Sequence, residues 1–306
     1  MENNVKDLVI VGGGPAGLSA AIYGKRAMLN EVVIEKDIYS CGQIAVTDRV
    51  DNYLGLYGES GYGLAMKFKE HAKKLEVPFL EGEVVNIKDG DVKELELKTG
   101  DKLYTKAVFI ATGSRHRMLK CKGEEKLIGA GVSYCATCDG GFFRNKKVAV
   151  VGGGEVALQD ALYLSNICEK VYLIHRRNEL RASKNLQNKV TGLANIELLL
   201  NCEVEEIVGD SVVEAINIID KTSGKKDCIQ ASGVFIAIGM EPGTEIVKGV
   251  LELDKSGYII TDDSCRCSLN GFYAIGDVRT KQLRQLVTAV ADGAVAISSY
   301  EQDNLI

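Results

Sequence analysis

Tryptophan is absent from these 306 residues, and proline and histidine occur three times each. So few prolines leave no material for a Pro-rich linker, and without tryptophan an indole-lined ligand cage is excluded. A surplus of one charge is missing too. The 37 Lys and Arg face 42 Asp and Glu, a net charge of -5, so no global field draws the chain to nucleic acid. Long hydrophobic stretches are scarce: residues 8–24 carry no charge, but Gly12-Gly13-Gly14-Pro15 in their midst would break a membrane helix. Met1-Glu2-Asn3-Asn4 lacks the cationic start and apolar stretch of a signal peptide. These absences lead to the expectation of a soluble, cytoplasmic protein that engages neither membrane nor nucleic acid. What is present, 46% apolar and 26% charged residues, describes a globular chain long enough for two domains.

Cysteine is not scarce. Nine of them, an odd number spread along the chain, do not make a secreted disulfide framework. One pair is close, Cys135-Ala136-Thr137-Cys138, and such a pair is either redox-active or half of a metal site. A zinc site wants a second knuckle, and Cys265-Arg266-Cys267 has the wrong spacing, so no metal is expected. Cys41, Cys121, Cys168, Cys202 and Cys228 have no motif partners and read as small apolar side chains.

The dithiol stands near the second of two glycine fingerprints, Gly12-Gly13-Gly14-Pro15-Ala16-Gly17 and Gly152-Gly153-Gly154-Glu155-Val156-Ala157. Around the first, residues 8–12 read as a strand, 15–28 as a helix and 31–35 as a second strand. In such a unit the glycines let backbone approach a pyrophosphate, which rests on the positive end of the helix. Glu35 ends the second strand, where a carboxylate accepts from a ribose 2′-hydroxyl, so this site suits a dinucleotide with a plain ribose.

The second unit aligns with the first at an offset of 140 residues: strand 147–152, helix 155–166, strand 171–174. Glu35 becomes His175, followed by Arg176, Arg177 and Arg181, a cationic cluster of the kind a 2′-phosphate requires. A further repeat, Val108-Phe109-Ile110-Ala111-Thr112-Gly113 and Val234-Phe235-Ile236-Ala237-Ile238-Gly239, would close each unit with a strand. The tail segment Gly271-Phe272-Tyr273-Ala274-Ile275-Gly276-Asp277 is another strand ending in an acid, suited to hold a ribityl or phosphate-linked hydroxyl. The expected fold class is α/β, with two Rossmann-like three-layer domains, the second inserted into the first. Residues 1–115 and 246–306 would form one domain and residues 116–245 the other. Residues 81–96, rich in carboxylates, read as exposed strands and turns, and His71 and His116 as isolated.

These segments, together with Gly42-Gln43, Asn52-Tyr53, Arg284-Gln285 and Asp292-Gly293, resemble the low-molecular-weight thioredoxin reductases of bacteria over essentially the whole chain. The resemblance implies a homodimeric flavoprotein with an FAD domain and an inserted NADPH domain. It places FAD against Gly12, Gly14, Pro15, Ala16, Gly17, Glu35, Lys36, Gly42, Gln43, Asn52, Ala111, Thr112, Gly113, Gly276, Asp277, Arg284 and Gln285. NADPH falls to Gly152, Gly154, Glu155, Val156, His175, Arg176, Arg177 and Arg181.

It further implies that electrons pass from NADPH through FAD to Cys135 and Cys138, and thence to a thioredoxin-like protein. In that scheme Cys138 faces the flavin and Cys135 attacks the partner. Asp139 then serves as proton donor and acceptor, where a bare reading makes it a turn residue before Gly140-Gly141. Rotation of one domain against the other would alternate the two reactions. The glutathione reductase branch, with its dithiol after the first unit, does not fit, because Cys41 has no neighbour there. Glu155 and Val156 depart from the Asn or Asp and Ser or Thr usual in relatives. That departure keeps open a reductase with another donor, such as ferredoxin, or another disulfide acceptor.

Overall fold

A computed structural model describes residues 5–38, 42–47 and 49–304; Met1 to Asn4 and Cys41, weighed above, lie outside them. The chain divides into two compact units, residues 1–115 with 241–306, and residues 116–240. The second crossing comes five residues before the border expected at 245/246, because Met240–Pro242 is already a strand and pairs with Ser114–His116, which carries the first crossing.

In the first unit the strand Val5–Val11 lies at the centre of a seven-stranded sheet, parallel to Glu31–Glu35 on one side and Lys102–Ile110 on the other. Phe272–Ala274 returns from the tail and adds in parallel to Lys102–Ile110. Alternation sorts the side chains onto two faces. Leu8, Ile10, Val33, Ala107, Phe109 and Tyr273 pack under the helices Pro15–Arg26 and Leu286–Asn304. Val9, Val11, Val32, Ile34, Val108 and Ile110 pack on the other side against Val84, Ile87, Leu95 and Leu97. Val84, Ile87 and Leu95 correct the reading of residues 81–96 as exposed. The strand Lys93–Leu97 carries the carboxylates Glu94 and Glu96, but its period of two turns the other face into the core; Val84–Lys88 carries none, and a register shift between Val84 and Asn86 puts Val84 and Ile87 inside.

The second unit repeats the plan. Its five-stranded sheet runs Ile196–Leu200, Lys170–His175, Lys147–Val151, Gly233–Ile236, Val132–Ser133, all parallel. The helix Glu155–Ser165 covers one face through Ala157, Leu158, Ala161 and Leu164. A three-stranded antiparallel sheet, residues 202–230, covers the other through Ile207, Ile216, Ile218 and Ile229. Helix, parallel sheet and antiparallel sheet are the three layers, and the inner strands Lys147–Val151 and Gly233–Ile236 are apolar because both their faces are covered. No helix among the described residues is long and apolar enough to cross a membrane.

Candidate active site

The first glycine turn is locked by its neighbours. Gly12 has φ +114, and a Cβ there would lie 2.4 Å from the Ala111 carbonyl oxygen. Gly12 N–H donates to Ile34 O at 2.8 Å, and Ala111 N–H to Val11 O at 2.8 Å, tying the turn to the strands on both sides. Gly13 N–H donates to Glu35 Oε2, so the carboxylate that ends the second strand also holds the loop. Nothing stands within 4 Å of the position a Gly14 Cβ would take, and Gly42, at φ +66, brings its own to 3.7 Å from Gly14 Cα. The helix Pro15–Arg26 starts here with Pro15 at its first turn and no side-chain cap, leaving backbone N–H groups for an anion.

Gly276 closes the same site from the tail. Its φ is +74, and a Cβ there would meet Ala16 Cβ at 2.9 Å. Gly276 N–H donates to Asp292 Oδ2 at 2.8 Å, and Asp292 is in turn bound by Arg279 Nη1 at 3.0 Å and Lys281 Nζ at 2.7 Å. This buried ion triad went unread in the sequence beyond the matching pair Asp292-Gly293. Asp277, next in line, has its Oδ1 buried with no hydrogen-bond partner among the described residues, and burial pushes its carboxyl above the usual range. An acceptor left so costs about 1–3 kcal/mol unless a ligand hydroxyl donates to it. The orphaned Asp277 oxygen, the open space over Gly14 and the Glu35 carboxylate together fit a dinucleotide rich in hydroxyls.

Other residues expected at this site are distributed unevenly. Asn52 Nδ2 donates to Gln285 Oε1 at 2.9 Å, joining two candidates 233 positions apart. Arg284 lies 3.8 Å over the Tyr258 ring and donates to Arg279 O at 3.0 Å. Thr112 Oγ1 donates to Gly243 O at 2.7 Å, and Gly113 turns with φ +69. Gln43 begins a short 3-10 turn, exposed. Lys36 points elsewhere: its ammonium pairs with Glu83 at 2.8 Å on the surface.

The second turn has the same frame. Gly152 N–H donates to Ile174 O at 3.0 Å, Ala237 N–H to Val151 O at 2.8 Å, and a Cβ on Gly152 would stand 2.4 Å from Ala237 O. The position of a Gly154 Cβ is open, as at Gly14. His175 differs from its expected part in a cationic cluster. It is buried beneath Gly153, bonded through Nε2 to Glu179 O at 3.1 Å, and burial depresses its pKa, so the ring is neutral near pH 7. The positive charge comes from Arg176, Arg177 and Arg181, all exposed, with Arg181 N–H donating to Gly153 O at 2.7 Å. Three guanidiniums beside an open glycine turn fit a phosphorylated ribose. Glu155 Oε1 accepts from Ser183 N–H at 2.6 Å, so its carboxylate is held at the turn and does not swing into water, while the Val156 side chain is exposed.

Cys135 and Cys138 form a disulfide with Cα atoms 5.3 Å apart, and both are half-buried. They lie at the start of a single helical turn, Ala136–Asp139, in which Cys138 N–H and Asp139 N–H donate to Cys135 O at 3.3 and 3.1 Å. Thr137 Oγ1 lies 3.5 Å from Cys135 Sγ. Asp139, half-buried, accepts from Ser133 Oγ at 2.6 Å, a partner the sequence did not single out. Four other thiols are poor candidates for chemistry. Burial pushes Cys121 and Cys168 up to about 11 and Cys265 and Cys267 up to about 12, which keeps all four protonated. No metal-binding group of His, Cys, Asp and Glu occurs among the described residues. His116 is stacked on Tyr134 with centroids 4.9 Å apart, and burial lowers its pKa.

Residues 6–293 match the model of the pyridine nucleotide-disulphide oxidoreductase family. The chain belongs to this family. A thioredoxin reductase of Peptoclostridium acidaminophilum is 41% identical over 98% of this chain and 97% of its own length. Among solved structures, thioredoxin reductase from Streptococcus pyogenes is 40% identical with TM-score 0.92, covering 98% of both chains. That of Giardia duodenalis is 34% identical with TM-score 0.93, covering 99% of this chain and 100% of its own. As a pyridine nucleotide-disulphide oxidoreductase of this branch, the chain is a flavoprotein disulfide reductase whose cofactors are FAD and NADPH.

Proposed function

We propose that this protein is a thioredoxin reductase, a cytoplasmic homodimer that reduces the disulfide of a thioredoxin-like protein at the expense of NADPH. The observation that carries the reading is the Cys135–Cys138 disulfide, set in the inserted unit that also bears the phosphate-type glycine turn. The residues around Gly12, Glu35, Gly276 and Asp277 hold FAD, and the turn at Gly152 with Arg176, Arg177 and Arg181 holds NADPH. Bound FAD supplies the conversion of a hydride into the electron pair that a disulfide accepts. The protein's own part lies in the thiols and their proton. Once reduced, Cys135 attacks the partner disulfide and forms a mixed disulfide. Cys138 then resolves it, and Asp139 takes up and gives back the proton that thiol–thiolate interconversion moves.

The test is a pair of substitutions. Cys135→Ser and Cys138→Ser should each abolish reduction of a disulfide protein while leaving reduction of the flavin by NADPH intact. Cys138→Ser should trap its partner as a mixed disulfide. Undiminished turnover in both variants would remove the dithiol from the reaction.

A second reading, with reduced ferredoxin as donor, draws support from Glu155, whose carboxylate is pinned to Ser183 N–H beside the anion-binding end of the helix Glu155–Ser165. Repulsion between that charge and a pyrophosphate weakens NADPH. The arginine cluster weighs against this reading, because such guanidiniums serve a 2′-phosphate and no one-electron donor needs them.

A further inference from the structure

Asp139 does not stand alone beside the dithiol. Ser133 ends the short strand Val132–Ser133, opposite Phe235 of Gly233–Ile236, and is buried at 6% exposure. From this fixed base its hydroxyl makes three contacts. It donates to Asp139 Oδ2 at 2.6 Å, accepts from Cys135 N–H at 3.1 Å, and lies 3.4 Å from Cys135 O. One hydroxyl therefore joins the carboxyl to the backbone of the attacking cysteine.

We propose that Ser133 is a positioning residue for the proton transfer of thiol–disulfide exchange, holding Asp139 in one place in both of its protonation states. The proposal rests on the reading of Asp139 as the proton carrier. When Asp139 is ionised, the Ser133 hydroxyl donates to it at the length of a strong charge-assisted bond. When Asp139 is protonated, the direction reverses. The carboxyl O–H then donates to Ser133 Oγ, and the serine proton turns to the longer acceptor, Cys135 O. The Cys135 N–H bond fixes the oxygen throughout. In both arrangements the carboxyl keeps its bond to Ser133 Oγ, and only the serine proton changes its acceptor.

The balance of the exchange is simple. Reduced Cys135 and Cys138 bring two thiol protons and two electrons; attack forms one mixed S–S bond and expels one substrate thiolate. Closing Cys135–Cys138 breaks the mixed bond and expels the second. Both protons end on the two substrate thiols, and the NADPH-dependent half of the cycle restores the dithiol. Asp139 carries a proton from an enzyme thiol to a departing thiolate and ends as it began.

The experiment uses the FAD-loaded protein with thioredoxin as acceptor, across pH 5 to 9. Ser133→Ala should lower kcat by about ten-fold at pH 7 and move the acidic limb of the profile upward by about one unit. The carboxylate has then lost a donor, while flavin reduction by NADPH should keep its rate. Ser133→Thr should restore the profile and come within about three-fold of the parent. Ser133→Val, of the same shape as Thr without the hydroxyl, should behave like Ser133→Ala, which guards against a folding defect in either variant. A second readout is alkylation of the reduced dithiol by iodoacetamide against pH, which should shift in the same two variants. A parent-like pH profile in both Ser133→Ala and Ser133→Val, at whatever rate, would overturn the proposal. Asp139→Asn separates the two claims. If it is slow while both Ser133 variants keep the parent profile, positioning alone is lost. If it matches the parent in rate and profile, Asp139 is no proton carrier and the proposal falls with it.

Discussion

At the end of its second strand the first nucleotide unit carries the Glu35 carboxylate, which takes Gly13 N–H; at the same place the second carries the His175 ring, neutral and packed beneath Gly153. The frames around these two residues superpose bond for bond. Gly12 and Gly152 donate to Ile34 and Ile174, and Ala111 and Ala237 donate to Val11 and Val151. Leu8 pairs with Glu31 as Val148 pairs with Val171, keeping the offset of 140. On the proposed assignment, a duplicated scaffold is finished for two different ligands by a handful of side chains. In that assignment the backbone turn receives the pyrophosphate, and the ribose is chosen by Glu35 at the end of the second strand in one unit and by Arg176, Arg177 and Arg181 beyond it in the other.

The helix-packing glycine shows the largest difference in tolerance. A Cβ on Gly17 would lie 1.9 Å from Gly12 O, whereas the second unit carries Ala157 at that place, fully buried. Gly17→Ala should cost about 3 kcal/mol or more and empty the first unit of flavin. Ala157→Gly, by contrast, should cost only about 1 kcal/mol and leave NADPH use in place. Thermal unfolding with flavin counting would check both, and equal losses would mean that the turns are less alike than the bonds indicate.

Next in size is a buried carboxyl at a place where the second unit has an apolar residue. Glu31 stands where the second unit has Val171, and its carboxyl fills the space over Gly24 where the second unit has Leu164. Both Glu31 oxygens are buried without partners among the described residues, and burial raises the pKa to about 8. A carboxyl with a raised pKa in the folded state contributes its full stability below the unfolded value of 4.5 and loses it as pH rises toward about 8. Stability should therefore fall between pH 5 and pH 8.5 by about 2 kcal/mol, after relaxation has reduced the larger figure the shift implies. Glu31→Gln should remove that slope, raising the melting temperature at pH 8.5 and not at pH 5. A parent-like slope in Glu31→Gln would place the titration elsewhere.

The arginines should produce a smaller and more selective effect. Arg176→Ala should weaken NADPH about ten-fold, the loss expected for one charge-assisted contact, and leave NADH nearly unchanged. Equal losses for both nucleotides would deny the second site its 2′-phosphate. Smallest is the departure at the second turn. Glu155→Asn with Val156→Ser should tighten NADPH several-fold by direct titration, since one repulsion of about 1 kcal/mol goes and one donor is gained. Unchanged affinity would show that the Ser183 N–H bond already neutralises Glu155.

Much of this was legible in the sequence, and the missing parts share a cause. Glycine turns, the strands that feed them and the dithiol are local patterns whose spacing is their meaning. The pairs that complete the first site are distant in sequence: Asn52 with Gln285 and Gly276 with Ala16. His175 illustrates a second limit. The repeat places it at the end of the second strand, but its charge depends on how deeply the ring is buried, which spacing does not encode. Ser133 was passed over because a lone serine two residues before a cysteine has no pattern, and only the folded turn brings it onto Asp139.

The central claim is that one chain passes electrons between two nucleotide sites and a dithiol. Anaerobic titration of the purified protein with NADPH, reading flavin absorbance and free thiols together, tests it most directly. The account predicts that about two equivalents of NADPH per chain bleach the flavin and open Cys135–Cys138, adding two thiols, since each cofactor or disulfide takes one electron pair. Flavin that stays oxidised under excess NADPH, yet bleaches with reduced ferredoxin, would contradict it.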